Sequence, residues 1–326
     1  HPTRRSSDLN PIASWMTLGV GPSAKFPFFI SLDSTHFVTV GLTTNTAFRS
    51  YLIDAAGQIQ NLDTSGTVNY SNTVSGVKLD STHMLLSMDQ YKFRVAEVDA
   101  NYIGSWSAAE TTLSSGGSDA DNGVKMYIAG DDASYYYVIV NRYSTGTISA
   151  VSVVSVDKAT WVVAQVGSDL TGMGNIDGYD MTPIPGYTNK WLFVYKNTNL
   201  KAIVVGVNGS FEPVFEGAEF DFGYVGDYPN VQSIDATRAV VTYSDASNDG
   251  FAVTVEVNTG TWAVSLASAA AFEFETSDLA EKRTRLVKLD DNHVGISWGS
   301  SSSANYVDHQ VQCKLAVLEM DAATYN

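Results

Sequence analysis

LDSTHFVTVG (Leu32–Gly41) and LDSTHMLLSM (Leu79–Met88) are nearly one stretch written twice. Two looser copies follow, SIDATRAVVTYSD from Ser233 and KLDDNHVGISWGS from Lys288. All four share an apolar residue, an Asp, two intervening residues, a His or Arg and an apolar run. Asp33 and Asp80 lie 47 residues apart and Asp235 and Asp290 lie 55 apart, while the 155 residues from Asp80 to Asp235 leave room for two further copies. YIAGDDASYYYVIVN from Tyr127 and TPIPGYTNKWLFVYK from Thr182 fill that gap, each an apolar run, a polar turn and a second apolar run. A period near 50 residues is that of propeller blades or of helical repeats, and local pattern separates the two.

That pattern is strand. Val, Ile, Tyr, Phe and Thr alternate with polar residues over short runs, and no sustained i, i+3, i+4 apolar spacing of helical length occurs. In the second unit the runs are TVSGVKL, HMLLSMD, YKFRVAEVD and NYIGSWSAAE, separated by short turns rich in Asp, Asn, Ser and Gly. The third run of every unit has its own ending before a turn: LIDAAG, AEVDAN, VSVDKAT, VGVNGS, VEVNTG and LEMDAAT. Six third strands are thus counted independently of the Asp turns. The sixth unit shows three runs only, and NPIASWMTLG from Asn10 resembles the fourth run NYIGSWSAAE. An N-terminal strand that completes the last blade removes two exposed edges. The reading is an all-β, six-bladed β-propeller of four-stranded antiparallel blades over residues 10–326, with a seven-bladed ring and a truncated chain as the alternative. HPTRRSSDLN at the start resembles translated adapter read-through from metagenomic sequencing, so residues 1–9 are expected to be a non-native or disordered leader.

The repeat assigns its own residues. Asp33, Asp80, Asp235 and Asp290 fall in the tight turn between first and second strands, where a carboxylate accepts backbone N–H groups a few residues on. His36, His83 and His293, with Arg238 at the same place, then begin the second strands, and a residue repeated blade after blade is placed by the fold and not by a shared metal. Trp15, Trp106, Trp161 and Trp262 recur in the outermost strands as blade-to-blade packing or rim aromatics and not as a ligand cage.

Composition excludes several partners. The formal charge is −16, from 35 acidic against 19 basic residues, whereas nucleic acid needs a Lys/Arg surface to displace counterions. No apolar run approaches bilayer length, and no apolar stretch follows the basic residues near the N-terminus. The single cysteine, Cys313, rules out an internal disulfide framework, and its alternating surroundings read as a small buried or half-buried thiol.

Function is expected where loops break the repeat. The connections from a fourth strand to the next first strand do so in three consecutive units: GGSDADNG from Gly116, GMGNIDGYD from Gly172 and GYVGDYPN from Gly223. Asp119, Asp121, Asn122, Asn175, Asp177, Asp180 and Asp227 bring oxygen ligands of the kind Ca²⁺ takes, and Tyr179, Tyr187, Tyr224 and Tyr228 add the aromatic faces of a sugar-binding surface. NIDGYD partly resembles the calcium loops of integrin-type propellers, which implies Asp121, Asn175, Asp177 and Asp180 as a metal set. Met173 stands at that pattern's first acidic position, and the spacing to Asp180 is one residue short. The acidic stretches FEGAEFD and FEFETSD lie in outer strands and read as solvated carboxylates, and no catalytic signature such as G-x-S-x-G, a P-loop or H-E-x-x-H is present.

The unit SIDATRAVVTYSDASNDGFAVTVEVNTGTWAVS resembles repeats of virion tail-associated proteins and of large bacterial surface, adhesin-like proteins. The resemblance covers almost the whole chain in short, permissive motifs. It implies a non-enzymatic binding or structural module on a virion or cell surface, which contacts a glycan or protein through its loop face and joins a homo-oligomer or virion assembly. The alternative expectation is a Ca²⁺-dependent hydrolase similar to the six-bladed lactonases.

Overall fold

The computed structural model describes residues 28–41, 46–53, 59–68, 75–89, 92–99, 104–107, 109–113, 124–144, 148–174, 176, 178–267, 270–276, 279–300 and 312–320. Among them every regular element is a strand. The strands form six antiparallel sheets, each built from consecutive segments of chain.

The first sheet is β1 (Phe28–Ser31), β2 (His36–Gly41), β3 (Thr46–Ile53) and β4 (Ile59–Val68), paired in that order. The second is β5 (Ser75–Lys78), β6 (His83–Asp89), β7 (Lys92–Val98) and β8 (Gly104–Trp106), with β9 (Thr111–Thr112) also on β7. The third is β10 (Lys125–Asp131), β11 (Tyr135–Ser144), β12 (Ile148–Asp157) and β13 (Val163–Leu170). The fourth is β14 (Gly178–Pro183), β15 (Lys190–Asn197), β16 (Asn199–Val207) and β17 (Pro213–Phe215), with β18 (Phe220–Asp221) also on β16. The fifth is β19 (Asp227–Ser233), β20 (Arg238–Ser244), β21 (Gly250–Asn258) and β22 (Ala263–Leu266), with β23 (Phe272–Glu275) also on β21. The sixth is β24 (Leu279–Lys288), β25 (His293–Ser300) and β26 (Gln312–Glu319). The chain divides into two compact units, residues 1–136 with 155–164 and residues 137–154 with 165–326.

The Asp turns explain why each first strand folds back. Oδ1 of Asp33 accepts the N–H groups of Thr35 at 2.7 Å and His36 at 2.8 Å. Asp80, Asp132 and Asp235 repeat the arrangement with Thr82 and His83, Ser134 and Tyr135, and Thr237 and Arg238. The recurring His or Arg then satisfies the carboxylate itself: Nδ1 of His36 lies 2.8 Å from Asp33 Oδ2, Nδ1 of His293 lies 2.8 Å from Asp290 Oδ1, and Nε of Arg238 donates to Asp235 Oδ2 at 2.6 Å. The fourth sheet has no Asp there. Its turn is Ile184-Pro185-Gly186-Tyr187, in which Pro presets the first corner and Gly186 takes the left-handed φ of 86° that a type II turn demands.

The aromatic residues after the third strands correct the sequence reading. Trp161 and Trp262 lie in the turn before the outermost strand and not in it, and with Phe211 they adopt left-handed φ values of 60°, 58° and 59°. That conformation swings each ring onto the sheet before its own. Trp161 stacks on His83 at 3.6 Å, Phe211 on Tyr137 at 3.7 Å, and Trp262 meets Tyr187 edge-on at 4.9 Å. Trp106 is in β8 as expected, with the Arg94 guanidinium 4.4 Å above it; Trp15 lies outside the described residues.

Cores form between successive sheets. In the first unit Ile30, Leu32 and Val38 pack on Met84, Leu86 and Ala96. In the second unit Leu192, Val194 and Val204 pack on Val241, Val253 and Val255, and Ile234 and Val240 pack on Val294 and Met320. β15 and β16 are buried on both faces, which is why WLFVY and AIVVGV are continuous apolar runs and not alternations. The outermost strand is two short pieces in the second, fourth and fifth sheets, where one continuous strand was expected. No fourth strand of the sixth sheet is among the described residues, and the segment expected to supply it, Pro11 to Leu18, lies outside them.

Candidate functional site

The starts of β14 and β19 come together in the second unit. Gly178 approaches the second strand so closely that a side chain there would sit 3.2 Å from the backbone N and Cα of Tyr228. Further along, side chains of β14 complete the backbone of β19. Asp180, 2% exposed, accepts the Val231 N–H at Oδ2 (3.0 Å) and the Met181 N–H at Oδ1 (2.9 Å), and Thr182 Oγ1 accepts the Ser233 N–H at 3.3 Å. A first strand has neighbours on one side only, so its outward N–H groups need acceptors from elsewhere. The Thr242 and Thr284 hydroxyls, 2.6 Å apart, make an analogous polar link between β20 and β24.

Asp180 is therefore committed to backbone amides. The other proposed ligands on this strand start behave differently. Tyr179 is buried, its ring 6.1 Å from that of Phe193. Asp227 and Tyr228 open β19 at an irregularity in its register with β20, and Tyr228 holds a left-handed φ of 48°. For a bulky residue that conformation is strained, and strain of this kind collects at functional sites. Asp227 is half-buried and forms an ion pair with Lys196, the penultimate residue of β15. Asn197 beside it donates to the Met173 carbonyl at 2.8 Å, tying the loop before β14 to the turn between β15 and β16, where Thr198 has φ 63°. The arrangement presents a carboxylate from β19 and an ammonium from β15 at one end of the sheets, with Tyr228 next in the chain to the carboxylate.

Lys196 and Asn197 were missed by sequence reasoning. Both close β15 just before the turn between second and third strands, which the propeller reading sends to the same end as the loops that carry Asp and Asn; the Asn-Thr-Asn run was the available signal. Asp119, Asp121, Asn122, Asn175 and Asp177 lie outside the described residues. Among the described residues no group of three His, Cys, Asp or Glu side chains forms a metal site. Tyr187 and Tyr224 are drawn into packing, on Trp262 and Tyr243 respectively.

The acidic outer strands depart from the solvated reading. Glu216 is paired with Lys190 at 2.8 Å, and Glu219 with Lys201 at 2.5 Å and with the hydroxyl of Tyr195. Burial, then the Glu219 carboxylate, pushes the Tyr195 phenol far above its ordinary range, so it stays protonated and donates. Glu275 is buried and accepts from Trp298 Nε1 at 2.9 Å and from Lys314. Carboxylates held in this way brace the sheets.

No family model and no curated protein matches the chain. Solved structures do. A protein of Bacteroides uniformis provisionally assigned as a 6-phosphogluconolactonase superposes with a TM-score of 0.58 at 10% identity, covering 88% of this chain and 84% of its own. A second, from Bacteroides fragilis with the same provisional assignment, gives 0.57 at 8% identity, covering 89% and 83%. At this identity the likeness carries the fold, a propeller-like array of antiparallel sheets. It also corrects the expectation of a non-enzymatic virion or surface module with adhesin or tail-fibre character: these two structures carry 6-phosphogluconolactonase names and not those of virion or adhesin proteins.

Proposed function

We propose that the chain is a propeller hydrolase of the lactonase type, acting at the end of the sheets where Asp227 and Lys196 meet beside Tyr228. The observation that carries this reading is the half-buried Lys196–Asp227 pair beside the strained Tyr228, on a fold shared with lactonase-named propellers. A cyclic ester needs a base for the attacking water and a positive group for the carbonyl oxygen as it becomes an oxyanion. Asp227 takes the water's proton, and Lys196 stabilises the oxyanion. The ring C–O bond then breaks and the alkoxide recovers the proton, giving the hydroxy acid. The same reading includes closure of the six sheets as six blades, with the segment around Pro11 to Leu18 as the outermost strand of the last.

The experiment is hydrolysis of simple aldonic and aliphatic lactones followed by acid release in a pH-stat, with Asp227→Asn and Lys196→Met as paired variants. Expected are turnover above the spontaneous rate, loss of kcat in Asp227→Asn, and wild-type melting in both variants. Wild-type protein that never exceeds the spontaneous rate, or an Asp227→Asn variant of full kcat, overturns the proposal.

A further inference from the structure

We propose that Asn208–Gly209 is a self-modifying site, at which the chain converts with water as its only co-reactant to aspartyl and isoaspartyl forms. The dipeptide sits in the turn between β16 and β17 and is exposed. Asn208 Oδ1 accepts the N–H groups of Ser210 and Glu212, each at 2.9 Å. Two amides aimed at a carbonyl oxygen are the arrangement that stabilises negative charge developing on it. The Gly209 N–H makes none of the hydrogen bonds in this turn, the residue is exposed, and a Cβ built on Gly209 would meet nothing within 4 Å, so no neighbouring side chain crowds it.

The step balances. Solvent base removes the Gly209 amide proton, and that nitrogen attacks Asn208 Cγ to form a C–N bond. The Cγ–Nδ2 bond breaks, ammonia departs and a five-membered succinimide remains. Water then opens either of its two carbonyls. One opening leaves an aspartyl residue at this position, and the other leaves an isoaspartyl residue, in which the main chain runs through the side-chain methylene.

The repeat supplies the control. Asp157 caps the equivalent turn of the third sheet, its Oδ1 accepting Ala159 N–H at 2.9 Å and Thr160 N–H at 2.7 Å, so an aspartyl product preserves this geometry. Asn258 caps that of the fifth, accepting Gly260 N–H at 2.9 Å and Thr261 N–H at 3.2 Å, but is followed by the β-branched Thr259, which shields the attacking nitrogen. The isoaspartyl product lengthens the turn that holds Phe211 left-handed against Tyr137, where the rings stack at 3.7 Å and 3°. The chain thus carries an ageing site that loosens the contact between Phe211 and Tyr137.

The test holds the purified chain at mildly alkaline pH and maps peptides by mass spectrometry over weeks, with isoaspartyl methyltransferase as the isomer probe. Expected is amide-to-acid conversion at Asn208 in two isomers, at least tenfold faster than at Asn258. Aged wild type should also unfold at lower denaturant than fresh protein, and aged Gly209→Ala should not. Equal rates at Asn208 and Asn258, or equal softening of wild type and Gly209→Ala, overturns the proposal.

Discussion

Asp80 and His83 show what a repeated residue does. Burial alone raises the Asp80 pKa, but the N–H groups of Thr82 and His83 and the His83 ring outweigh it, and the carboxyl sits below its ordinary value; Asp33, Asp235 and Asp290 are lowered as well. A depressed carboxyl stabilises the fold at pH values above its unfolded pKa, and that contribution is lost as pH falls through the folded value. Acid unfolding of the wild type is therefore expected to set in below about pH 4. Asp80→Asn should flatten the stability profile in that range, measured by denaturant titration at successive pH values. The histidines differ in what they touch. His293→Asn, at a half-exposed turn, should cost less than about 1 kcal/mol, whereas His83→Ala removes the ring under Trp161 and should cost about 1–2 kcal/mol. Equal costs at the two positions would argue that the stacking contributes nothing. The turn role of these residues was legible in the sequence because it recurs. The Trp161 contact was not, because a left-handed φ leaves no mark on residue type when the residue is an aromatic.

At the scale of strands, the polar side chains of β14 matter through the backbone of β19. Asp180→Ala strands the Val231 and Met181 N–H groups in a buried setting and is expected to cost about 3 kcal/mol, read as a shift in the urea midpoint. The same change should leave calcium affinity untouched if Asp180 serves only the backbone; loss of calcium binding without loss of stability would return it to the ligand set. In β15, Leu192→Ala removes a fully buried side chain between the fourth and fifth sheets and should cost about 2–5 kcal/mol. Strand positions could be read from apolar runs and turns. HMLLSMD in the sequence is β6 residue for residue. The splitting of outermost strands could not be read. In the fourth sheet the break between β17 and β18 carries Glu216 and Glu219, whose partners Lys190 and Lys201 stand on β15 and β16, and no local pattern announces those pairings.

The whole molecule poses the question of how six sheets end. One face of the sixth sheet packs on the fifth through Leu286, Val294, Ile296 and Leu318. Its other face presents Val287, Leu289, Leu315 and Val317, exposed at 54–78%. A sheet apolar on both faces calls for cover on both, which supports the proposed ring. Deleting residues 1–20 is expected to lower the melting temperature sharply or cause aggregation, by calorimetry and light scattering, and a deletion that melts like the full chain would remove the closing strand from the proposal. Calcium bears on the loop end as a whole. If the Asp and Asn residues of residues 116–123 and 172–180 bind it, EDTA-treated protein should gain about 2.7 kcal/mol at a hundredfold excess over the dissociation constant, and calorimetry without heat or stabilisation would exclude it. The sequence by itself determined the repeat, its strand character and the turn chemistry, because each is local and written several times. Only the tertiary structure decided that Lys196 meets Asp227, that Asp180 serves an amide 51 residues away and that Glu275 is buried. Those outcomes depend on which strands of successive sheets lie side by side, and no local pattern of residues encodes a neighbour half a hundred residues distant.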